Sequence, residues 1–161
     1  MRFFFYGTLL DHDVTALVLG RRLPPAAFLP ARLLGHARRR AKNATYPIVV
    51  RDPRGVVPGV IVGGLSALDV ARLTDFEGPG YRVVPLRVRT AGAMTTVSVF
   101  EPVQSRLQPS GELWDLALWQ RRHQQAFVGR LKRRLSARPV IHNEKSAKGM
   151  LSGSVSIIIK G

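Results

Sequence analysis

The sequence predicts an α+β domain built on a small, closed or strongly curved β-sheet with flanking helices. Three observations lead to this fold class. Strand-like segments outnumber helical ones, and one helical pattern lies among the strands while a longer one follows them. Glycines at 59, 63 and 64 interrupt an apolar strand, which is typical of bends and close backbone approaches in a barrel.

The first 30 residues predict a buried strand, a turn, a short helix and a loop. Aromatic residues favour a strand at 2–6, which breaks at the tripeptide Tyr6-Gly7-Thr8. Residues 11–19 have a helical pattern, which Asp11 can cap and which a glycine follows. Three prolines make residues 21–30 a predicted loop.

The middle of the chain predicts three strands and a capped helix. The strands lie at 33–42, 46–50 and 56–65, with a turn of Pro-Arg-Gly composition at 51–55. Ser66 and Asp69 form a capping box for a helix over 66–76. Its predicted apolar face consists of Leu65, Leu68, Leu73 and Phe76.

The last third predicts a β-hairpin and a long helix. The hairpin joins strands at 82–90 and 94–100 through Ala91-Gly92-Ala93, and residues 112–135 form the longest helical pattern. We therefore predict one domain over residues 1–138, followed by a C-terminal extension at 139–161. Within that extension, residues 143–154 are linker-like and 155–159 are strand-like.

Composition narrows the classes of function. The 161 residues carry 25 Lys+Arg against 10 Asp+Glu, a formal charge of +15, which attracts nucleic acid or acidic small molecules. An Arg-rich proteome background explains the same charge. Because the chain has no cysteine, disulfides, thiolate metal sites and a cysteine nucleophile are excluded. The apolar start is too short for a membrane span, and no targeting signal is evident, so we expect a cytoplasmic protein.

Several common catalytic motifs are missing. The segment Gly64-Leu65-Ser66-Ala67-Leu68 lacks the second glycine of a nucleophile elbow, and the four histidines have no ligand-like spacing. The glycines at 59–64 are followed by leucine, not by the Lys-Ser/Thr of a phosphate-binding loop. The sequence therefore disfavours a metal site, a nucleotide-binding site and a serine hydrolase.

One carboxylate and one turn remain as candidates for chemistry. Glu77 ends a predicted helix beside Phe76 and Tyr81, where burial would raise its pKa toward that of a general acid/base. The alternative is a surface ion pair with Arg82 or Arg72. The glycine of the opening turn would let consecutive N–H groups face one anionic group. The alternative there is a plain turn in which Thr8 caps the helix.

Four segments in this order resemble the gamma-glutamylcyclotransferase-like family, particularly its gamma-glutamylamine cyclotransferase-like branch. They are Tyr6-Gly7-Thr8-Leu9, Tyr46-Pro47, Val57-Pro58-Gly59-Val60-Ile61, and the run from Leu73 through Phe76-Glu77-Gly78 to Tyr81-Arg82. The resemblance covers about residues 2–135. Thr74 departs from the family's usual aspartate, and Arg82 lies one place early, which leaves the bound substrate open.

The resemblance implies a small mixed β-barrel with helices around it and an enzyme that needs no cofactor. Its reaction would release 5-oxoproline from a γ-glutamyl small molecule. Glu77 would be the catalytic acid/base, and the N–H groups of Gly7, Thr8 and Leu9 would hold the γ-glutamyl end. Tyr6 and Tyr81 would shape the pocket, with Tyr46 in its wall.

The leaving group stays open between a glutathione-derived dipeptide, an amino acid and the ε-amine of lysine. Two other functions remain open as well. One is a binding domain that keeps the pocket without turnover. The other is a nucleic-acid-binding protein, which is disfavoured because the arginines are spread over several elements without interleaved aromatic residues. The sequence does not predict an oligomeric state.

Overall fold

The computed structural model describes residues 1–138, which contain six strands and four α-helices. The strands are β1 Phe3–Phe5, β2 Phe28–Ala41, β3 Pro47–Val62, β4 Tyr81–Arg89, β5 Met94–Pro102 and β6 Pro109–Leu113. The helices are α1 His12–Leu19, α2 Ala67–Glu77, α3 Leu116–Arg122 and α4 Gln124–Ser136. The predicted extension, with its strand-like segment, lies outside the described residues, so the division into 1–138 and 139–161 stays a prediction.

Five of the strands close into a mixed barrel. Neighbours follow the order β3-β1-β5-β4-β2, and β2 pairs again with β3, which closes the ring. Only the contact of β1 with β5 is parallel among these pairings. The short strand β6 joins the end of β2 outside the ring. The predicted α+β fold with a closed sheet is confirmed.

The two longest strands form one hairpin, which makes the predicted turn at 51–55 wrong. β3 runs without interruption, but its register to β2 shifts between the pairs Leu34–Val56 and His36–Arg51. Four residues of β3 therefore bulge out opposite one residue of β2. Gly55 fits this bulge because a Cβ there would lie 2.1 Å from the His36 carbonyl oxygen. Turn-forming composition here produces a bulge, since the partner strand continues past it.

Two other predicted boundaries are also wrong. β2 begins at Phe28, inside the predicted loop, because antiparallel pairing with β3 extends through Pro30. The predicted long helix divides into β6, α3 and α4. Asp115 starts α3 by accepting a hydrogen bond from the Leu118 N–H at 2.7 Å, and the chain turns at His123 before α4. A local cap and pairing with β2 therefore outweigh the helical periodicity.

The core lies on both faces of β1. Phe4 points into the barrel, whereas Phe3 and Phe5 point toward the helices, where Leu73 and Trp119 are also buried. The helix α2 has the predicted capping box of Ser66 and Asp69. The predicted apolar face of α2 is only partly correct, because Leu68 is 58% exposed.

Gly59 provides a test of barrel closure, because a Cβ at this position would lie 2.3 Å from the Phe5 carbonyl oxygen and 2.5 Å from the Phe4 ring. We expect Gly59→Ala to lower the free energy of unfolding by roughly 2–3 kcal/mol, the cost of overpacking a close-packed core. Chemical denaturation measures the difference. The control is Gly92→Ala in the β4–β5 loop, where nothing lies within 4 Å of the added methyl group. Equal stability of the two variants would contradict this account.

Candidate active site

A cavity of about 210 Å³ lies between the end of β1 and the end of α2. Its lining includes every residue that the sequence analysis assigned to a site: Tyr6, Gly7, Thr8, Leu9, Tyr46, Glu77 and Tyr81. The other lining residues are Phe4, Phe5, Pro47, Phe76, Phe100, Phe127 and Arg134. The predicted site residues therefore share one cavity, whose wall is largely aromatic.

The first wall of the cavity is the turn after β1. Residues Thr8–Leu10 form a single 3-10 turn, and no backbone carbonyl within residues 1–138 accepts a hydrogen bond from the N–H groups of Gly7, Thr8 or Leu9. Gly7 lies against Pro47, whose Cγ would be 2.9 Å from a Cβ at position 7. A larger residue would push the turn away from the cavity wall. The turn thus presents backbone donors at the cavity.

The alternative role of Thr8 as a helix cap is wrong. The carboxylate of Asp11 caps α1, accepting hydrogen bonds from the N–H groups of Asp13 and Val14 at 3.0 Å each. Because Asp11 follows the 3-10 turn, the N–H groups of that turn are not used to start the helix.

Glu77 is the last residue of α2, lines the cavity, and has no cationic partner in the part of the chain that the structure describes. Arg82 pairs with Glu101 at 2.8 Å, and Arg72 donates to the Leu19 carbonyl oxygen, so the expected alternative of an ion pair at Glu77 is wrong. Acidic residues are scarce in this chain, and five others lie within 3.3 Å of an arginine: Asp13, Asp69, Asp75, Glu101 and Glu112. None of the ion pairs within residues 1–138 includes Glu77.

Burial changes the acidity of this carboxyl. Removal from water raises the pKa of Glu77 from its ordinary value of 4.5 to about 8. By contrast, the hydrogen bond and charge of Arg40 lower the pKa of the exposed Glu112. Glu77 therefore exchanges protons near neutral pH, as a general acid/base requires.

The tyrosines are fixed by hydrogen bonds to the backbone. The Tyr6 hydroxyl donates to the Phe100 carbonyl oxygen at 2.5 Å, and the Tyr81 hydroxyl donates to the Pro47 carbonyl oxygen at 2.8 Å. Burial, followed by neighbouring acidic groups that include Glu77, raises the pKa of both hydroxyls well above the usual value. Both rings are therefore neutral and rigid. The ring of Tyr46 lies 6.4 Å from that of Tyr81 and extends the same wall.

Among the cavity residues that the sequence analysis did not assign to a site, Phe127 and Arg134 lie on α4. Phe127 contacts Phe76 edge-on with ring centroids 6.2 Å apart, and Arg134 donates to the Asp75 carbonyl oxygen at 2.8 Å. Both residues fall within the helical pattern predicted over 112–135. No local sequence signal distinguishes these residues, because their position depends on how α4 packs on α2.

No group of three or more His, Cys, Asp or Glu side chains within residues 1–138 could hold a metal ion. Among the helices of the same part of the chain, none is long and apolar enough to cross a membrane.

The raised pKa of Glu77 predicts a pH-dependent cost in stability. The unfolded chain ionises near 4.5 and the folded chain near 8, so the folded protein holds an extra proton between these values. The cost is absent at low pH, grows above about 4.5 and is complete above about 8. Glu77→Gln should therefore raise the melting temperature by roughly 3–8 °C at pH 8.5, and by less at pH 5.

Thermal denaturation of both proteins across this range measures the difference. The control is Glu112→Gln, whose carboxylate pKa is lowered rather than raised. It should show no gain that grows with pH. A pH-independent difference between Glu77→Gln and the wild type would show that the Glu77 carboxyl is solvated.

Comparisons with known proteins point to one family. A family model described as gamma-glutamyl cyclotransferase, AIG2-like, matches residues 3–120. AIG2-like protein A of Arabidopsis thaliana is 24% identical over 160 residues, which cover 98% of this chain and 91% of the relative. AIG2-like protein C of the same plant is 28% identical over 138 residues, or 84% of this chain and 78% of the relative.

Solved structures share the fold. A solution structure of an Arabidopsis thaliana protein has a TM-score of 0.60 and 27% identity, covering 96% of this chain and 94% of that one. A structure of a gamma-glutamyl cyclotransferase has a TM-score of 0.53 and 17% identity, covering 91% and 93%, which shows likeness of fold. The chain therefore belongs to the gamma-glutamyl cyclotransferase, AIG2-like family, as its family-model match over residues 3–120 shows.

Proposed function

We propose that this protein is a γ-glutamyl cyclotransferase, which closes a γ-glutamyl group to 5-oxoproline and releases the attached amine. One observation carries the proposal. Within residues 1–138, the Glu77 carboxyl has no cationic partner, and it shares a small cavity with the N–H groups of Gly7, Thr8 and Leu9, which donate to no backbone carbonyl. The cavity thus combines a proton carrier with donors for a negatively charged oxygen.

In this proposal the donors face the γ-carbonyl oxygen of the substrate. Attack on that carbonyl places negative charge on its oxygen, and backbone N–H groups fixed in a turn stabilise such charge without having to reorganise. The rigid rings of Tyr6, Tyr46 and Tyr81 line the same cavity and restrict the conformations of the glutamyl chain.

Glu77 moves the proton. Its carboxylate takes a proton from the α-ammonium group, and the freed nitrogen attacks the γ-carbonyl carbon to form the new C–N bond. The bond from that carbon to the leaving nitrogen then breaks, and Glu77 gives its proton to that nitrogen. The second proton lost by the ring nitrogen also ends on the leaving amine, which departs as an ammonium ion. The reaction therefore consumes neither water nor a cofactor.

This small set of groups is sufficient for the reaction. Because the nucleophile and the carbonyl belong to one molecule, holding the folded conformer supplies much of the rate enhancement. A positioned acid/base adds about 10²- to 10⁴-fold, and a set of oxyanion donors contributes further.

Removal of the Glu77 carboxyl tests the proposal. Glu77→Gln keeps the shape of the side chain but cannot carry the proton, so 5-oxoproline release should fall about 10²- to 10⁴-fold. Release is measured by chromatography with a γ-glutamyl amino acid, glutathione and ε-(γ-glutamyl)lysine. The matched control is Glu112→Gln on β6, an exposed carboxylate outside the cavity, which should retain wild-type rates.

The outcomes separate the candidate functions. Turnover of one compound by the wild type and by Glu112→Gln, but not by Glu77→Gln, supports the cyclotransferase and names its leaving group. Binding of a γ-glutamyl compound without turnover contradicts the proposal and favours a binding domain. Tight binding to RNA or DNA that weakens steeply with salt, in the absence of any turnover, favours the nucleic-acid function.

The acidity of Glu77 also predicts the pH profile. The carboxylate is the active form in the free enzyme, and its pKa lies near 8. We therefore expect kcat/KM to rise about tenfold per pH unit below pH 7.5 and to level off above about 8. Steady-state rates between pH 5.5 and 9.5 give the profile. A profile that stays flat from pH 5.5 upward would contradict this account, because it would show that Glu77 ionises near its ordinary pKa of 4.5.

A further inference from the structure

We propose that Arg38, which lies outside the cavity, is a positioning residue that orients and polarises the Tyr6–Gly7 peptide for catalysis. The proposal rests on the cyclotransferase function and extends it to a residue on β2. Arg38 acts through the peptide group and does not touch the substrate.

The first step is the contact between the side chain and the turn. Arg38 Nη1 donates to the Tyr6 carbonyl oxygen at 2.8 Å and to the Pro58 carbonyl oxygen at 3.4 Å. The carbonyl of Tyr6 and the N–H of Gly7 belong to the same peptide unit. Because that unit is trans, its N–H points to the side opposite its carbonyl. Gly7 lines the cavity and Arg38 does not, and a guanidinium on the carbonyl side leaves the N–H of Gly7 free to face the cavity.

The second step is the way in which the guanidinium is held. It lies over the Trp114 ring, 5.0 Å from the centroid, and Trp114 Nε1 donates to the Thr45 carbonyl oxygen at 2.9 Å. The backbone N–H of Trp114 also donates to the Arg38 carbonyl oxygen at 3.4 Å. Arginine suits this place because its guanidinium is weakly hydrated and stacks on aromatic faces. Trp114 therefore fixes the side chain that fixes the turn.

The third step is electrostatic. Arg38 is partly buried, and its buried Nε has no hydrogen-bond partner within residues 1–138. Burial lowers the pKa of Arg38 while the charge of Asp115 opposes that change, and a guanidinium stays protonated at any pH relevant here. A cation with few competing contacts thus faces the Tyr6 carbonyl in a medium of reduced dielectric constant, where its field is stronger than in water.

The consequence concerns the transition state. A charged hydrogen bond to a carbonyl oxygen draws electron density through the peptide and makes its N–H a stronger donor. Gly7 N–H then interacts more strongly with the γ-carbonyl oxygen as negative charge develops there. Because this gain is larger in the transition state than in the bound substrate, Arg38 affects kcat more than KM.

Arg38→Met tests the proposal, with Arg39→Met as the matched control. Both arginines lie on β2, but Arg39 donates to the Gly111 carbonyl oxygen and does not contact the turn. Loss of one oxyanion donor costs about 10²- to 10³-fold in kcat, and a weakened donor costs less. We expect Arg38→Met to lower kcat by roughly 10- to 100-fold with KM changed less than about threefold. Arg39→Met should leave both constants unchanged.

Arg38→Lys is the second variant, because it restores a cation near the same carbonyl if the methionine variant does not fold. It should recover part of kcat, to a value above that of Arg38→Met. If Arg38→Met does not fold, kcat of Arg38→Lys should lie within about tenfold of the wild type. A rise in KM with kcat unchanged, or equal losses in Arg38→Met and Arg39→Met, would overturn the proposal.

A spectroscopic measurement keeps this proposal separate from the proposed function. The ¹⁵N chemical shift of an amide responds to hydrogen bonding at the preceding carbonyl, so the Gly7 resonance reports directly on Arg38. It should move in both Arg38 variants and stay in place in Arg39→Met. If the wild type releases no 5-oxoproline but Gly7 moves, the cyclotransferase function fails while the orienting contact stands. If Gly7 does not move, the role of Arg38 is wrong whatever the activity.

Discussion

The site depends on where β1 ends. This strand has only three residues, yet it pairs on one side with β3 and on the other with β5. After Phe5 the chain leaves both partners, so none of the six described strands pairs with the N–H groups that follow. Unpaired backbone donors inside a protein are costly, and natural structures tolerate few of them. The turn can keep them because it borders a cavity, where water or a ligand satisfies them.

The Glu77 carboxyl, at the other side of the cavity, also lowers the stability of the fold when it is ionised. A carboxylate that is removed from water without a cation is destabilised, which is why the pKa of Glu77 rises to about 8. A nearby arginine would relieve this cost, and the chain has many, but those adjacent in sequence are engaged elsewhere. Arg82 is held by Glu101 across the β4–β5 hairpin, and Arg72 by the carbonyl oxygen of Leu19. These contacts thus keep Arg72 and Arg82 from pairing with the Glu77 carboxyl.

The sequence predicted the local features well and the long-range ones poorly. The cap at Asp11, the capping box of Ser66 and Asp69, and the hairpin of β4 and β5 follow from nearest-neighbour chemistry, and all are present. The turn expected at 51–55 became a bulge, because its outcome depends on register with β2. The position of Glu77 was predicted, but its lack of an ion pair was not, since that depends on which distant groups engage Arg72 and Arg82. The parts that α4 and Arg38 play depend in the same way on tertiary packing.

The helix α4 packs against the end of α2 and lines the cavity beside Glu77. Its Phe127 meets Phe76 edge-on, and both Arg134 and Arg138 bind the carboxylate of Asp75, two residues before Glu77. These contacts hold α4 against the end of α2 and close the cavity on the side that the barrel leaves open. Exposed ion pairs contribute little to stability, about 0–1 kcal/mol each, but this pair of arginines also neutralises the negative charge nearest to Glu77 in the sequence. Removal from water is the cause that raises the pKa of Glu77, and the rings of Phe76 and Phe127 line the cavity in which this carboxyl lies.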